Sequence, residues 1–167
     1  MKSEVLNSPV SVASARVRAS KRSNRPRWST TKDRLALKWW CVARADEWFA
    51  MGELGAARDF LQHAAALDPK DPCVWLALGS VRYLLGELAE SGLAFLRAIR
   101  LRPQEARAWL HLAIVHERMG QPGLALMLAG QARELDPADE AVRVTYARLH
   151  RLVATRCSFP SQSVEPD

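Results

Sequence analysis

The chain is poor in the residues that build disulfide frameworks, metal centres and membrane spans. It has three cysteines in 167 residues, Cys41, Cys73 and Cys157. An odd number without a Cys-x-x-Cys pair argues against a disulfide framework or a zinc site and suits a reducing compartment. No run of eighteen apolar residues occurs, so no membrane-spanning helix is expected. The first residues carry no continuous apolar stretch of the secretory-signal kind, which makes cytoplasmic the expected location. Four histidines are scattered, and His111 and His116 stand five apart. A metal pair on one helical face needs a spacing of four. There is no Gly-rich phosphate loop, and the acids are spread as solvated charge. These absences leave no catalytic constellation. The expectation is a noncatalytic protein with no cofactor and no metal.

The charge is unevenly placed. The net charge is +6, yet residues 1–36 hold nine Lys or Arg against two acids, and the remainder holds fifteen against sixteen. The basic character therefore belongs to an N-terminal segment, and the body offers no broad field for nucleic acid. Residues 1–29 are rich in Ser and Arg with little to bury, so they read as a disordered basic tail. Arg16, Arg18, Lys21, Arg22, Arg25 and Arg27 carry its charge. Three readings of the tail stay open: a solvated flexible end, a transit peptide, and an arm that docks on nucleic acid or an acidic surface. Trp28 beside Arg25 and Arg27 could stack on a base in the third. Residues 156–167 read as a second frayed end.

What the body does contain is a repeat. Trp75 to Gly86 reads WLALGSVRYLLG, and 34 residues later Trp109 to Gly120 reads WLHLAIVHERMG. The same offset links Leu67-Asp68-Pro69, Leu101-Arg102-Pro103 and Leu135-Asp136-Pro137, and likewise Gly52, Gly86 and Gly120. Each unit reads as two helices. Trp75, Leu76, Leu78, Val81 and Leu85 recur at helical steps, and Gly86 suits a left-handed cap. The period continues from Leu88 to Leu101 with Ala94, Phe95 and Ala98 inward. Pro103 stops it, whereas Pro122 suits a helix start. Small residues at Ala45, Gly79 and Ala113 would let paired helices approach closely.

These motifs resemble the tetratricopeptide repeat family, whose 34-residue unit carries W-x2-L-G-x2-Y, A-x3-F and P. The second unit matches with Trp75, Leu78, Gly79, Phe95, Ala98 and Pro103. The third matches with Trp109, Leu112, Ala125, Ala132 and Pro137. The first has Cys41 and Arg44 where Trp and Leu are usual, then Ala45, Trp48, Ala57, Leu61, Ala64 and Pro69. Arg82 and His116 stand at the Tyr position. The resemblance implies an all-α fold: a right-handed superhelix of three helix–turn–helix units, about 38–71, 72–105 and 106–139, with a capping helix at about 139–154. The domain would span 30–155. Thr30-x-x-Asp33 resembles a capping box, so the first helix should run from near Thr31 to Met51. In the last helix, Ala141, Val144, Ala147 and Leu152 should cover the third unit, with Arg143, Arg148 and Arg151 in water. Cys41 should be buried, Cys73 more exposed, His111 at the groove or surface, and His116 in place of a packed Tyr.

In this family ligands lie on the concave face made by the first helix of each unit. The register places Trp39, Val42, Asp46 and Phe49 there from the first unit. It adds Cys73, Leu76, Ser80, Tyr83 and Leu84 from the second, and Arg107, Leu110, Ile114, Glu117 and Arg118 from the third. That stripe is apolar and aromatic in its middle and charged at its edges, as recognition surfaces are. The implied function is a protein-binding adaptor or chaperone that holds a protein or peptide client. Members that grip acidic chaperone tails use a carboxylate clamp of Lys, Asn and Arg. The matching places here hold Val42, Asp46, Ala77, Arg107 and His111, where only Arg107 suits and Asp46 would repel a carboxylate. The run Leu67-Asp68, Asp71 and Leu76-x-Leu78-Gly79, with the long first helix, resembles type III secretion chaperones of translocator proteins, which implies a secretion substrate in the groove. The alternative function is a tether, with the basic tail docking and the repeats as scaffold. Self-association also stays open, the groove being filled by a second copy in a homodimer or by the chain's own N-terminal extension.

Overall fold

A computed structural model describes residues 30–157, and the basic tail with Arg16, Arg18, Lys21, Arg22, Arg25 and Arg27 lies outside the described residues. The described residues fall in two units, 30–34 and 35–157. The described residues form seven helices: α1 (Thr31–Ala50), α2 (Leu54–Leu67), α3 (Pro72–Leu84), α4 (Leu88–Leu101), α5 (Ala106–Arg118), α6 (Pro122–Leu135) and α7 (Glu140–Cys157). None is long and apolar enough to cross a membrane.

Within residues 30–34, α1 starts on the expected capping box. Asp33 N–H donates to Thr30 Oγ1 at 3.2 Å, and Thr30 N–H donates to the Asp33 carboxylate at 3.2 Å. Two donors that the first helical turn cannot pair are thereby satisfied reciprocally.

In residues 35–157, α1 and α2, α3 and α4, and α5 and α6 make three helical hairpins, each turned by the same device. Gly52, Gly86 and Gly120 adopt φ of +82°, +81° and +76°. At each, the glycine N–H bonds back three residues and the next N–H bonds back five, as Gly86 to Tyr83 O at 3.1 Å and Glu87 to Arg82 O at 2.9 Å. Space around each is open, but a side chain at that φ is strained, so glycine recurs. The residue at the Tyr position reaches a polar partner just past this turn. His116 Nδ1 lies 2.8 Å from Gln121 Oε1, and Arg82 Nε lies 3.8 Å from Glu87 Oε2. His116, at the family's Tyr position, is half-buried and reaches Gln121 at the turn.

Inside a hairpin the close approach is real. A Cβ on Gly79 would sit 2.7 Å from the Phe95 ring. Phe95 is the largest fully buried side chain, and Ser91 seals the same contact by donating its hydroxyl to Gly79 O at 2.8 Å. The repeated tryptophans have an equally specific place. Trp75 and Trp109 donate their indole N–H to Pro69 O and Pro103 O, both at 2.9 Å, so each ties its helix to the preceding turn.

Units stack through one register position. Val74, Ala108 and Val142 are 3%, 0% and 0% exposed, because the preceding unit covers each. The same position in α1 is Trp40, 49% exposed and set edge-to-face on Phe60 at 5.7 Å. Val142 also corrects the reading of the last helix. α7 packs through Val142, Thr145, Leu149 and partly Leu152, while Ala141, Val144 and Ala147 are exposed. Thr145 counts as polar, which drew the pattern to the neighbouring stripe.

The first unit, lacking the tryptophan at Cys41, is fastened differently. Lys38 is buried and its Nζ donates to Asp71 at 2.9 Å and Asp68 at 3.0 Å. Asp71 also caps α3 by accepting from Cys73 N–H at 2.9 Å. The Asp71 bond, opposed by burial and aided by Asp68, raises the ammonium pKa. For Asp71, burial pushes upward but is outweighed by the Lys38 and Cys73 bonds, so its carboxyl titrates below its ordinary value.

Candidate functional site

The first helices of the units, α1, α3 and α5, carry the stripe that the register proposes as a groove. Their turns fix it, because side chains three and four apart on a helix share one face. On α1, Trp39 is 62% exposed, Phe49 and Asp46 are exposed, and Val42 is half-buried. On α3, Cys73 and Leu84 are exposed. Leu76, Ser80 and Tyr83 are half-buried, and Leu76 and Tyr83 pack on the cluster around Phe95. On α5, Arg107 and Arg118 are exposed and Ile114 and Glu117 half-buried. Leu110 is 6% exposed and packs with Ala132 and Val142. It belongs to the core and is corrected out of the groove, since the apolar stripe of α5 is wide enough to serve both faces.

Two cavities open among these residues. One of about 180 Å³ is lined by Ala45, Asp46, Phe49, Leu61, Ala77, Ser80 and Val81. The other, about 380 Å³, is lined by Ser80, Tyr83, Leu84, Phe95, His111 and Ile114. They correspond residue by residue at the repeat offset. Asp46, Phe49, Leu61, Ala77 and Ser80 of the first become Ser80, Tyr83, Phe95, His111 and Ile114 of the second. Ser80 lines both, and its hydroxyl is spent on Leu76 O at 3.0 Å, so it presents little polarity to either. At the next step the groove ends in charge, where Arg148 on α7 pairs with Glu117 on α5. Arg118 lies over the Tyr83 ring at 4.7 Å and closes that side.

His111, expected at the groove or surface though outside the register stripe, lines the second cavity. Its ring stacks on Phe95, with centroids 5.3 Å apart and planes at 13°. Burial lowers its pKa, and the nearby Arg107 charge lowers it further. The imidazole is therefore neutral at neutral pH, and the cavity is an uncharged aromatic slot. Its signal in the sequence was Ala77, which faces the first cavity one repeat earlier. A group with a depressed folded pKa stabilises fully above its unfolded value, here near 6.5, and that contribution fades as pH falls toward the folded value. The Tm of the protein should thus drop from pH 7 to pH 5 by more than that of His111→Phe. Equal drops in the two melting series would mean that His111 does not titrate in this way.

No group of three or more His, Cys, Asp or Glu among the described residues could hold a metal. Cys41 is buried and its thiol is pushed up by that burial.

No protein-family model matches the chain, and no curated protein matches it. Solved structures do. The first tetratricopeptide domain of Spaghetti (RPAP3), bound to an HSP90 peptide, superposes with a TM-score of 0.67 at 17% identity, covering 75% of this chain and 96% of that one. The Sgt2 domain from Aspergillus fumigatus gives a TM-score of 0.68 at 16% identity, covering 78% and 89%. The Yersinia enterocolitica type III secretion chaperone SycD, in complex with a peptide of the translocator YopD, gives 0.62 at 20% identity, covering 71% and 92%. Such agreement at such low identity speaks for the path of the backbone, and with the 34-residue register it gives this chain the tetratricopeptide repeat fold.

Proposed function

We propose that the chain is a noncatalytic protein-binding module that holds a partner segment against α1, α3 and α5. The observation that carries this reading is the pair of register-equivalent apolar cavities that meet at Ser80. Phe49 and Leu84, both exposed, line them, and exposed Trp39 lies on the same face of α1 as Phe49. Apolar area of that kind, left in water beside preformed cavities, favours a ligand that removes it from solvent. An acidic chaperone tail, the ligand class of the Spaghetti structure, is disfavoured because Asp46, at one of the clamp places, would repel a carboxylate. The likeness to SycD supports a finer form of the proposal, a chaperone that keeps a translocator segment covered until secretion.

The test is affinity capture by the full chain and by Phe49→Ser/Leu84→Gln, followed by mass spectrometry. Both residues are exposed, so the variant should keep its helicity and Tm. Loss of the dominant protein partner from the variant is expected, by tenfold or more. Retention of every partner by a folded variant would overturn the groove as the binding surface.

A further inference from the structure

The two cavities differ in one respect that decides what each can accept. The second is uncharged throughout. The first has a carboxylate at its edge, Asp46, and Asp46 is exposed with no hydrogen-bond or ion-pair partner among the described residues. Other acids of the first two units are engaged, Glu47 with Arg44, Asp59 and Glu87 with Arg58, and Asp68 and Asp71 with Lys38. Apart from Asp46 and Ser80, the lining is apolar, the Phe49 ring included.

From this arrangement we infer that the first cavity is a cation-selecting subsite, which takes an Arg or Lys side chain of the partner segment, while the second takes an apolar side chain. The inference rests on the groove reading above and deepens it. A long basic side chain is apolar along its stem and charged at its tip. The stem suits Ala45, Leu61, Ala77 and Val81, and the tip reaches the free carboxylate, with the Phe49 face as a second attraction for a cation. A Glu or Asp at the same place would meet Asp46 as a like charge. A neutral apolar side chain would leave Asp46 facing it without a partner.

The spacing of the two anchors follows from the fold. The cavities are one repeat apart, and α3 contacts α5 directly, so they are separated by roughly one interhelical distance, about 10 Å. A polyproline II segment repeats its facing every three residues, over about 9 Å. The partner motif is accordingly a cation and an apolar residue three positions apart, the cation lying on the first unit.

Fluorescence anisotropy with the full chain tests this. The probes are fluorescein-labelled proline-rich dodecapeptides carrying Arg and, three residues along, Leu, and a twin with Glu in place of Arg. The Arg peptide should bind at least about tenfold more tightly than the Glu twin, equivalent to about 1.4 kcal/mol. In Asp46→Asn that ratio should shrink to within about threefold. Equal binding of both peptides, still lost in Phe49→Ser/Leu84→Gln, would overturn the cation subsite and leave the groove standing. A tenfold preference that survives Asp46→Asn would also overturn it. Binding that persists in the groove variant would bring down the subsite and the groove together, whereas no binding of either peptide would overturn the two-anchor motif and leave the groove to the capture experiment.

Discussion

Replacing Phe95 with alanine is expected to remove about 3–5 kcal/mol of stability, the usual cost of deleting a buried aromatic ring. Phe95 packs between the hairpin partner at Gly79 and the next unit at Ala108, Leu112 and Val115. Its loss opens a void in two interfaces at once. A domain of this size has a total stability of the order of 5–15 kcal/mol, so the variant should be partly unfolded at physiological temperature. Chemical denaturation would register this as a lowered midpoint. The contact has a matching change on its other side. Gly79→Ala puts a methyl group 2.7 Å from the Phe95 ring, and the ring is hemmed in. Overpacking of this kind costs about 1–3 kcal/mol. The two substitutions should not add, since Gly79→Ala loses its clash once the ring is gone. A double-mutant cycle that returned simple additivity would show that Gly79 is not set by Phe95.

The second large effect is expected at Lys38. Lys38→Met removes the cation from between Asp68 and Asp71 and leaves two carboxylates unpaired, with side chains 29% and 15% exposed. A fully buried broken pair costs more than an exposed one, and the partial exposure puts this one at about 2–3 kcal/mol. The pH dependence follows from the direction of each shift. Lys38 titrates above its ordinary 10.5 when folded, so its contribution is complete below that pH and disappears as pH rises through the folded value. Asp71 titrates below its ordinary 3.8, so its contribution is complete above that pH and disappears as pH falls through the folded value. Stability from the triad should hold between about pH 4 and 10 and fail outside. Lys38→Met should flatten both flanks of the stability–pH curve. An unchanged curve in the variant would remove the triad as the source.

Much of the architecture was legible because each repeat answers to local chemistry: a glycine at the turn, a proline after the second helix, a small residue where helices touch. Three features were not. Lys38 finds its partners 30 and 33 residues away, beyond the reach of any helical period. Leu110 sits on a helix apolar on most of its circumference, so periodicity could not assign it to groove or core. The buried stripe of α7 was hidden by Thr145, although stepping 34 residues from Val74 to Ala108 leads directly to Val142. The groove was legible as a face and not as a set of cavities. Which neighbours come together, as with His111 over Phe95, depends on how far successive units rotate, and no single residue encodes that rotation.

The stacking pattern has a consequence for the birth of the chain on the ribosome. From α2 to α7 each helix packs on the next in sequence, and the further contacts, α3 with α5 and α5 with α7, reach one helix beyond. Every packing partner is therefore already synthesised, or about to be, when a helix emerges. Among the described helices, no early one has to wait for a distant one, as the strands of a sheet with long-range pairing must. The hairpin that leaves the exit tunnel first offers a finished apolar edge to the second, and the nascent chain can grow by adding one unit to a folded stub. The last helix, arriving with Val142 and Leu149, closes the free end of that growing stack.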